Sequence, residues 1–469
     1  VGVNALYRNT TGNYNTAIGM DALNENTTGD ENIAIGREAY HNGTTGDRNI
    51  AIGNAAMFAA NTGNNNIAIG YYTLLSNTTG ASNVAVGSYA LRLNTTGADR
   101  TAVGFESSYG SDTESDNTVS VGYRAMYMDD ATSADATDSV AIGHEAMLAD
   151  ASTTASLISN TAIGKDAIRI AANTTGAVSY NAAVGTQAMR FNANTTGTVQ
   201  YNAALGYEAL ELDANTSGIV QYNVAVGYQA LKSASNTSNE IAGNTAVGAN
   251  SMGVCTGNNG TGIGRNALGA LTTGNANVAV GQNAGDTLVT GAYNICIGQE
   301  ADVSATDSEG QIVIGRNIGG GGNNTVKFGQ SSGTLSIALD GSTTSWTAAS
   351  DERLKENIET SGAGLSFIND LRPITYNWKK AKDVPTDMPF YKKDSDKPCR
   401  GHEYGTVNHG FVAQEVKEAM DSHSEIKEGF SMWNDSDEGV QSVGDGALIP
   451  ILTKAVQELS AEVEQLKQQ

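Results

Sequence analysis

Residues 32–70 read NIAIGREAYHNGTTGDRNIAIGNAAMFAANTGNNNIAIG, and the pentapeptide Asn-Ile-Ala-Ile-Gly closes at Gly36, Gly53 and Gly70. Outward from this stretch the element, generalised to Asn-x-Ala-(Ile/Val)-Gly, closes also at Gly2, Gly19, Gly87 and Gly104, always 17 residues apart. It continues at Gly122, Gly143, Gly164, Gly185, Gly206, Gly227 and Gly248, mostly 21 apart, and at Gly264, Gly281, Gly298 and Gly315, 16 or 17 apart. Self-similarity at such a period is the mark of a solenoid, whose units bury their apolar faces only by stacking on one another. Residues 1–316 therefore read as a β-solenoid rod.

Within a unit, the residues one and three before the glycine are apolar or Thr, as in Ile33/Ile35, Ile50/Ile52, Val84/Val86, Val224/Val226 and Ile295/Ile297. Period two puts each pair on one face of a short strand, and the pairs are expected to form a stripe of the core. A second large apolar residue often follows four positions after the glycine (Leu23, Met57, Leu91, Met126, Met147, Met189, Leu210, Leu231, Leu268), and it is read as the second stripe. Asn-Thr-Thr-Gly, as at Asn26–Gly29 and Asn77–Gly80, supplies the turn. Strands stacked about 4.8 Å apart in eighteen coils give a rod of roughly 80–90 Å. The 21-residue units are expected to lengthen a turn (Asn173–Asn181, Asn194–Asn202, Asn215–Asn223) into loops suited to recognition. Val1–Leu6 reads as the middle of a unit, so the chain is expected to be a piece of a longer rod.

Composition divides the chain near residue 350. Of its 469 residues 55 are Gly, and all five prolines lie beyond that point. Residues 1–349 carry 13 Lys+Arg and 28 Asp+Glu, whereas the 120 residues from 350 carry 14 and 22. A net charge of −23 argues against nucleic acid and anionic lipid as partners. No apolar run reaches the roughly 18 residues of a membrane-spanning helix, so no membrane insertion is expected. The three cysteines (Cys255, Cys296, Cys399) are too scattered for a disulfide framework.

The repeats resemble the heads of trimeric autotransporter adhesins, on Asn-x-Ala-Ile-Gly, the following Ala-Leu and Asn-Thr-Thr-Gly. That resemblance covers roughly residues 1–316 and implies left-handed parallel β-rolls bundled in threes. The family's repeat is shorter than 17 or 21 residues, which leaves two forms open: a chain coiled on itself, or a triple β-helix with strands interleaved between chains. Residues 317–349 read as a Gly-rich β transition, with strands near Thr325–Phe328 and Leu335–Leu339.

From residue 350 the chain reads Ser350-Asp-Glu-Arg-Leu-Lys-Glu-Asn-Ile358, expected to be a charged helical segment. Leu371-Arg-Pro-Ile-Thr-Tyr-Asn-Trp378 and Gly410-Phe-Val-Ala-Gln-Glu-Val416 follow. Ile449, Leu452, Val456, Leu459, Val463 and Leu466, spaced 3, 4, 3, 4, 3, form a heptad seam, which predicts a terminal coiled coil over about 448–469. These four motifs in order resemble the intramolecular chaperone auto-processing domain of phage tailspikes, endosialidases and tail fibres. The resemblance implies an α+β domain at 350–469 that trimerises, nucleates folding of the β-structure upstream, and then cuts itself off. It places the cut between Ala349 and Ser350, with Ser350 and Lys355 as catalytic residues.

A serine hydroxyl needs a base at neutral pH, and a lysine serves once burial or neighbouring charge lowers its pKa. On a continuous α-helix, positions five apart diverge by about 140°. Ser350 must then lie at or before a helix start, or the two groups meet across chains. The plain alternative for Ser350 is a helix N-cap, and for Lys355 a solvated side chain.

Other candidates are weaker. Cys399, His402 and His409 make an incomplete zinc set, and no metal or cofactor is expected. Asn-x-Thr triplets match the glycosylation pattern but serve equally as turns. Asp30, Asp47, Asp112, Asp116, Asp129 and Asp130 are either cation ligands between coils or, by preference, solvated turn residues. Tyr71/Tyr72, Tyr180, Tyr201 and Tyr222 form either a glycan-contacting line or, preferred, a packing ladder. The reading is a homotrimeric phage tail-fibre or spike segment, made in the host cytoplasm and carried in the virion tail. Its partners are upstream tail or baseplate components and a host-surface glycan or protein receptor. The alternatives are a bacterial adhesin head, which lacks here the expected membrane β-barrel anchor, and a glycan-degrading spike, which needs paired acids in a cleft.

Overall fold

A computed structural model describes residues 1–110, 116–128, 136–150, 156–170, 174–191, 196–212, 218–232, 240–339, 347–348, 352–400, 405–426, 430–435 and 440–468. The chain divides into two compact units, Val1–Ala349 and Ser350–Gln469.

The first unit is a parallel β-solenoid. Three-residue strands from Thr16–Ile18 to Ile295–Ile297, then Ile312–Arg316, stack in one ladder within a 20-stranded sheet. Ile33 faces Ile50, which faces Ile67, in unshifted register. Each strand pairs with the next coil of the same chain, so the chain coils on itself and the interleaved alternative does not apply. The ladder runs past Gly315 into Thr325–Gln330, still parallel, and two antiparallel strands, Gly333–Ala338 and Thr347–Ala348, close the sheet.

The strand motif points the opposite way from the expectation. The Ile/Val pair does share a face, but that face looks outward, and the alanine between them fills the core. Ala34, Ala51, Ala68, Ala85 and Ala102 are fully buried, while Ile69 and Val103 keep 37% and 36% of their surface exposed. The reason is room. Leu23, Tyr40, Met57, Leu74 and Leu91 enter from the far side of each narrow coil, and opposite them only a methyl group fits.

The motif asparagine ties coil to coil. Asn66 Oδ1 accepts from the Asn83 backbone N–H at 3.0 Å, and Asn66 Nδ2 donates to the Gly80 carbonyl at 2.9 Å. The same pattern holds at Asn181, Asn202 and Asn223. Arg100, Thr118 and Ser139 interrupt this column. There Ser120 replaces the core alanine and meets Ser107 and Ser108 at 2.8 Å, a polar layer between the two apolar clusters of the rod. The motif glycine is required because successive glycines stack: at Gly36 φ is +134°, and a side chain there would run into the Gly53 carbonyl.

The 21-residue units are not simply longer loops. They add two further parallel ladders, one of Tyr127–Met128, Met147–Ala149, Ile168–Ile170 and Met189–Phe191, the other of Val178–Ser179, Val199–Gln200, Val220–Gln221 and Ile241–Ala242. Their inward side chains, Ile168, Ile170, Met189 and Phe191, enlarge the core. The tips between these strands lie outside the described residues.

The second unit packs helices Leu365–Asp370, Ala413–Ser422 and Leu448–Gln468 with two small antiparallel sheets. Ala363, Phe367, Val416, Ala419, Met432, Leu448 and Ile451 make its core.

Candidate processing site and partner-binding faces

Ala349 and Ser350 lie outside the described residues. Lys355 is described and exposed. The expected charged helix is instead one 3-10 turn, Glu352–Leu354, closed by the Lys355 N–H on the Glu352 carbonyl, with non-helical chain after it. Glu352 is acidic and adjoins Arg353 in that short turn, whose single hydrogen-bonded loop is too short to propagate as an α-helix. The α-helical spacing that would separate positions 350 and 355 is therefore not imposed at Lys355.

The second and third motifs meet. Ile374–Tyr376 pairs antiparallel with Asn408–Gly410, so Ile374 faces Gly410 and Thr375 faces His409. Arg372 chelates Glu415, with Nε 2.9 Å from Oε2, and the guanidinium holds the Glu415 carboxyl below the usual carboxylate range. These motifs are thus scaffold, bringing two chain segments into one sheet. Among the described residues no group of three or more His, Cys, Asp or Glu is arranged to hold a metal; His402 lies outside them.

Sequence reasoning missed His423. Its imidazole is 90% buried and sits edge-on to Phe367, with Nε2 2.7 Å from Asp370 and Nδ1 2.7 Å from Glu425. Hydrogen bonds first to Asp370 and then to Glu425 raise its pKa above the ordinary value. The ring ties the C-terminal ends of helices Leu365–Asp370 and Ala413–Ser422 together. Asp370 is 53 residues away in sequence, so only the neighbouring Glu425 could have hinted at the pair.

The terminal helix has two faces. Leu448, Ile451 and Ala455 are buried in the unit, and Glu458 accepts from the Leu365 N–H at 2.7 Å. Ile449, Leu452, Val456, Leu459, Val463 and Leu466 are all exposed. Among the described residues the heptad seam is thus an exposed apolar row.

On the rod, the turn acids are not free in solvent. Asp30 Oδ1 accepts from the Asn13 N–H at 2.6 Å, Asp47 from Asp30 at 2.8 Å and Asp116 from Ala98 at 2.7 Å, so each caps the preceding coil. Asp112, Asp129 and Asp130 lie outside the described residues. The tyrosines form two separate columns. Tyr71 and Tyr72 belong to a run through Tyr89, Phe105, Tyr123 and His144 on the side where the chain leaves the strand. Tyr180, Tyr201 and Tyr222 stack where it enters.

One acidic pair stands out. Glu208 and Glu211 lie 2.7 and 2.8 Å from Lys232, and Glu211 also meets Arg190 at 3.0 Å. Burial works to raise the Glu208 carboxyl, but hydrogen bonds from Lys232, Gln229 and Tyr207 outweigh it and hold it at about 2. Lys232 bridges the two carboxylates and Arg190 reaches Glu211, so the pair forms an ion network within the rod.

Residues 350–424 match the family model described as chaperone of endosialidase. Neither a curated protein nor a solved structure matches the chain. The C-terminal unit thus carries a chaperone-of-endosialidase segment, and a β-solenoid followed by that segment makes the chain phage tail-fibre- or spike-like.

Proposed function

We propose that this chain is the receptor-binding segment of a homotrimeric phage tail fibre or spike, and that its C-terminal domain assembles it and then cuts itself off. The observation that carries the reading is the outward Ile/Val stripe. It runs in register through the coils of the rod, half-exposed in a single chain, and the exposed heptad seam at Leu452, Val456, Leu459, Val463 and Leu466 offers a second such face. Apolar side chains aligned over this length belong to an interface rather than to a free surface. The matched chaperone family implies trimer formation in general. Three copies packed stripe to stripe bury both faces at once.

Assembly order follows from the repeats. Neighbouring coils are so alike that chains can pair out of register at little cost. A domain of unique contacts at one end, trimerised first through its terminal helices, sets the register before the rod zips.

Processing is proposed at Ala349–Ser350, the bond at which the chain divides into its two compact units. The Ser350 Oγ attacks the Ala349 carbonyl carbon, and its proton passes through Lys355 to the departing Ser350 nitrogen. Water then hydrolyses the ester, leaving an Ala349 carboxylate and a free Ser350 amine. In a single chain Lys355 is exposed, and a lysine acts as base only when desolvated or crowded by charge. Cleavage is therefore tied to assembly, which supplies the burial. Removing the chaperone leaves a rod that is trapped kinetically.

The test is the intact mass of freshly expressed protein beside Ser350→Ala and Lys355→Ala. Two fragments meeting at Ala349/Ser350, with both variants whole, support the reading. A wild type that stays whole while trimeric reduces the domain to a chaperone, and a whole monomer overturns the account.

A further inference from the structure

The outward stripe has two edges: the residue before each motif asparagine, where the chain enters the strand, and the residue after each motif glycine, where it leaves. At three successive coils the entry edge carries Tyr180, Tyr201 and Tyr222, all with φ between 57° and 59°. A bulky aromatic residue in the left-handed region is unfavourable, and Asn, Asp or Gly would sit there more cheaply; coils elsewhere use Asn65, Asn117 and Asn259. On two of the same coils the outward residue that begins the strand shrinks from Ile or Val to Ala182 and Ala203. Large rings beside small strand residues leave a groove of about 590 Å3, lined by the three tyrosines, Ala182, Ala203 and Val224.

The rings lie 5.1 and 5.3 Å apart and within 7° and 4° of parallel, each covering its neighbour's face. The groove therefore meets ring edges and hydroxyls, whereas an aromatic platform for a flat ligand needs open faces. Ring edges carry positive partial charge and pair edge-to-face with other aromatics. The opposite edge of the stripe offers such a pair on coils shared with Tyr201 and Tyr222: Tyr207 and Tyr228, 5.5 Å apart and 43% and 52% exposed.

We infer that the groove is a chain-to-chain socket, receiving Tyr207 and Tyr228 of the neighbouring copy; this rests on the homotrimer reading. In a closed ring of three parallel chains the entry edge of one copy meets the exit edge of the next, a head-to-tail contact repeated three times. In-register chains bring the two aromatic columns to the same height. A slip of one coil in one direction sets Tyr228 against Gly243, whereas the opposite slip keeps Tyr207 and Tyr228 on Tyr180 and Tyr201 and leaves Tyr222 facing Ala249. The socket therefore opposes slippage in one direction midway along the rod, far in sequence from the chaperone.

The experiment uses the full chain carrying both Tyr201→Cys and Tyr207→Cys under mild oxidation. In one chain these positions flank a strand, roughly 10 Å or more apart, beyond the Cα separation of about 7 Å that a disulfide spans. Covalent dimers and trimers on a non-reducing gel, lost on reduction and missing from either single variant, are the expected result. A double variant that is trimeric by light scattering yet not cross-linked overturns the socket while leaving the trimer standing; a monomeric wild type sinks the trimer reading first. Should the double variant fail to assemble, Tyr228→Ala decides, because Tyr207 also bonds Glu208 within its own chain. A trimer melting several degrees lower supports the socket. Unchanged melting overturns it, and if cell binding is lost as well the groove belongs to the receptor.

Discussion

The rod and the C-terminal unit solve opposite problems. Rod contacts join positions 17 or 21 residues apart, again and again, as when Asn83 bonds Asn66 and Asn223 bonds Asn202. The C-terminal unit makes contacts that occur once: Arg372 with Glu415 across 43 residues, His423 with Asp370 across 53, Glu458 with Leu365 across 93. Repetition extends a structure easily and specifies alignment poorly. Singular long-range contacts are slower to find but admit one arrangement. On the function proposed above, joining the two gives the repetitive part a partner that sets where it starts.

The sharpest way to break this comparison is to set the two faces of one strand against each other. Ala51→Asp places an unpaired charge in the core and is expected to cost more than ~4 kcal/mol, abolishing the β signal in circular dichroism. Ile52→Asp, on the outward face, is expected to keep that signal and lose the trimer in sedimentation. Equal collapse of both variants would contradict the assignment of faces. Next in size is Asn66→Ala, which strands the Asn83 N–H and the Gly80 carbonyl. A loss of about 2–4 kcal/mol is expected from the denaturation midpoint, and a loss under about 0.5 kcal/mol would mean the asparagine column is decorative.

In the C-terminal unit the test is pH. His423 has a folded pKa above its ordinary value, so its contribution is full below about 6.5 and disappears as pH rises through the folded pKa. The melting gap between wild type and His423→Gln is expected to be wide at pH 6 and closed in the alkaline range. A gap independent of pH would remove the clamp. The smallest effect belongs to Arg372→Ala, whose ion pair with Glu415 is exposed at 64% and 39%; such pairs add little, and the melting midpoint is expected to stay put.

Much of this was legible in the chain itself. Period and strand position followed from Asn32–Gly36 and its copies. Period two also grouped Ile33 with Ile35, yet could not say which face turned inward, because that depends on how much of the coil's width Tyr40 and Met57 occupy. The asparagine's part was hidden for a similar reason: its partners sit one coil away, and only stacking brings them near. In the 21-residue units the extra residues looked like loop, since short pairs such as Val199–Gln200 gain strand character only from neighbours above and below. The C-terminal motifs were visible as strings, but not that Ile374 would lie against Gly410. Ser350 was singled out by its motif, and its surroundings lie outside the described residues.

The central claim is that three chains share the outward stripe and the heptad seam. Sedimentation equilibrium of the full-length Ser350→Ala chain tests it most directly, because cleavage cannot confuse the mass. The account predicts three times 48.5 kDa, held across a wide dilution range; a single mass of 48.5 kDa at every concentration would contradict it.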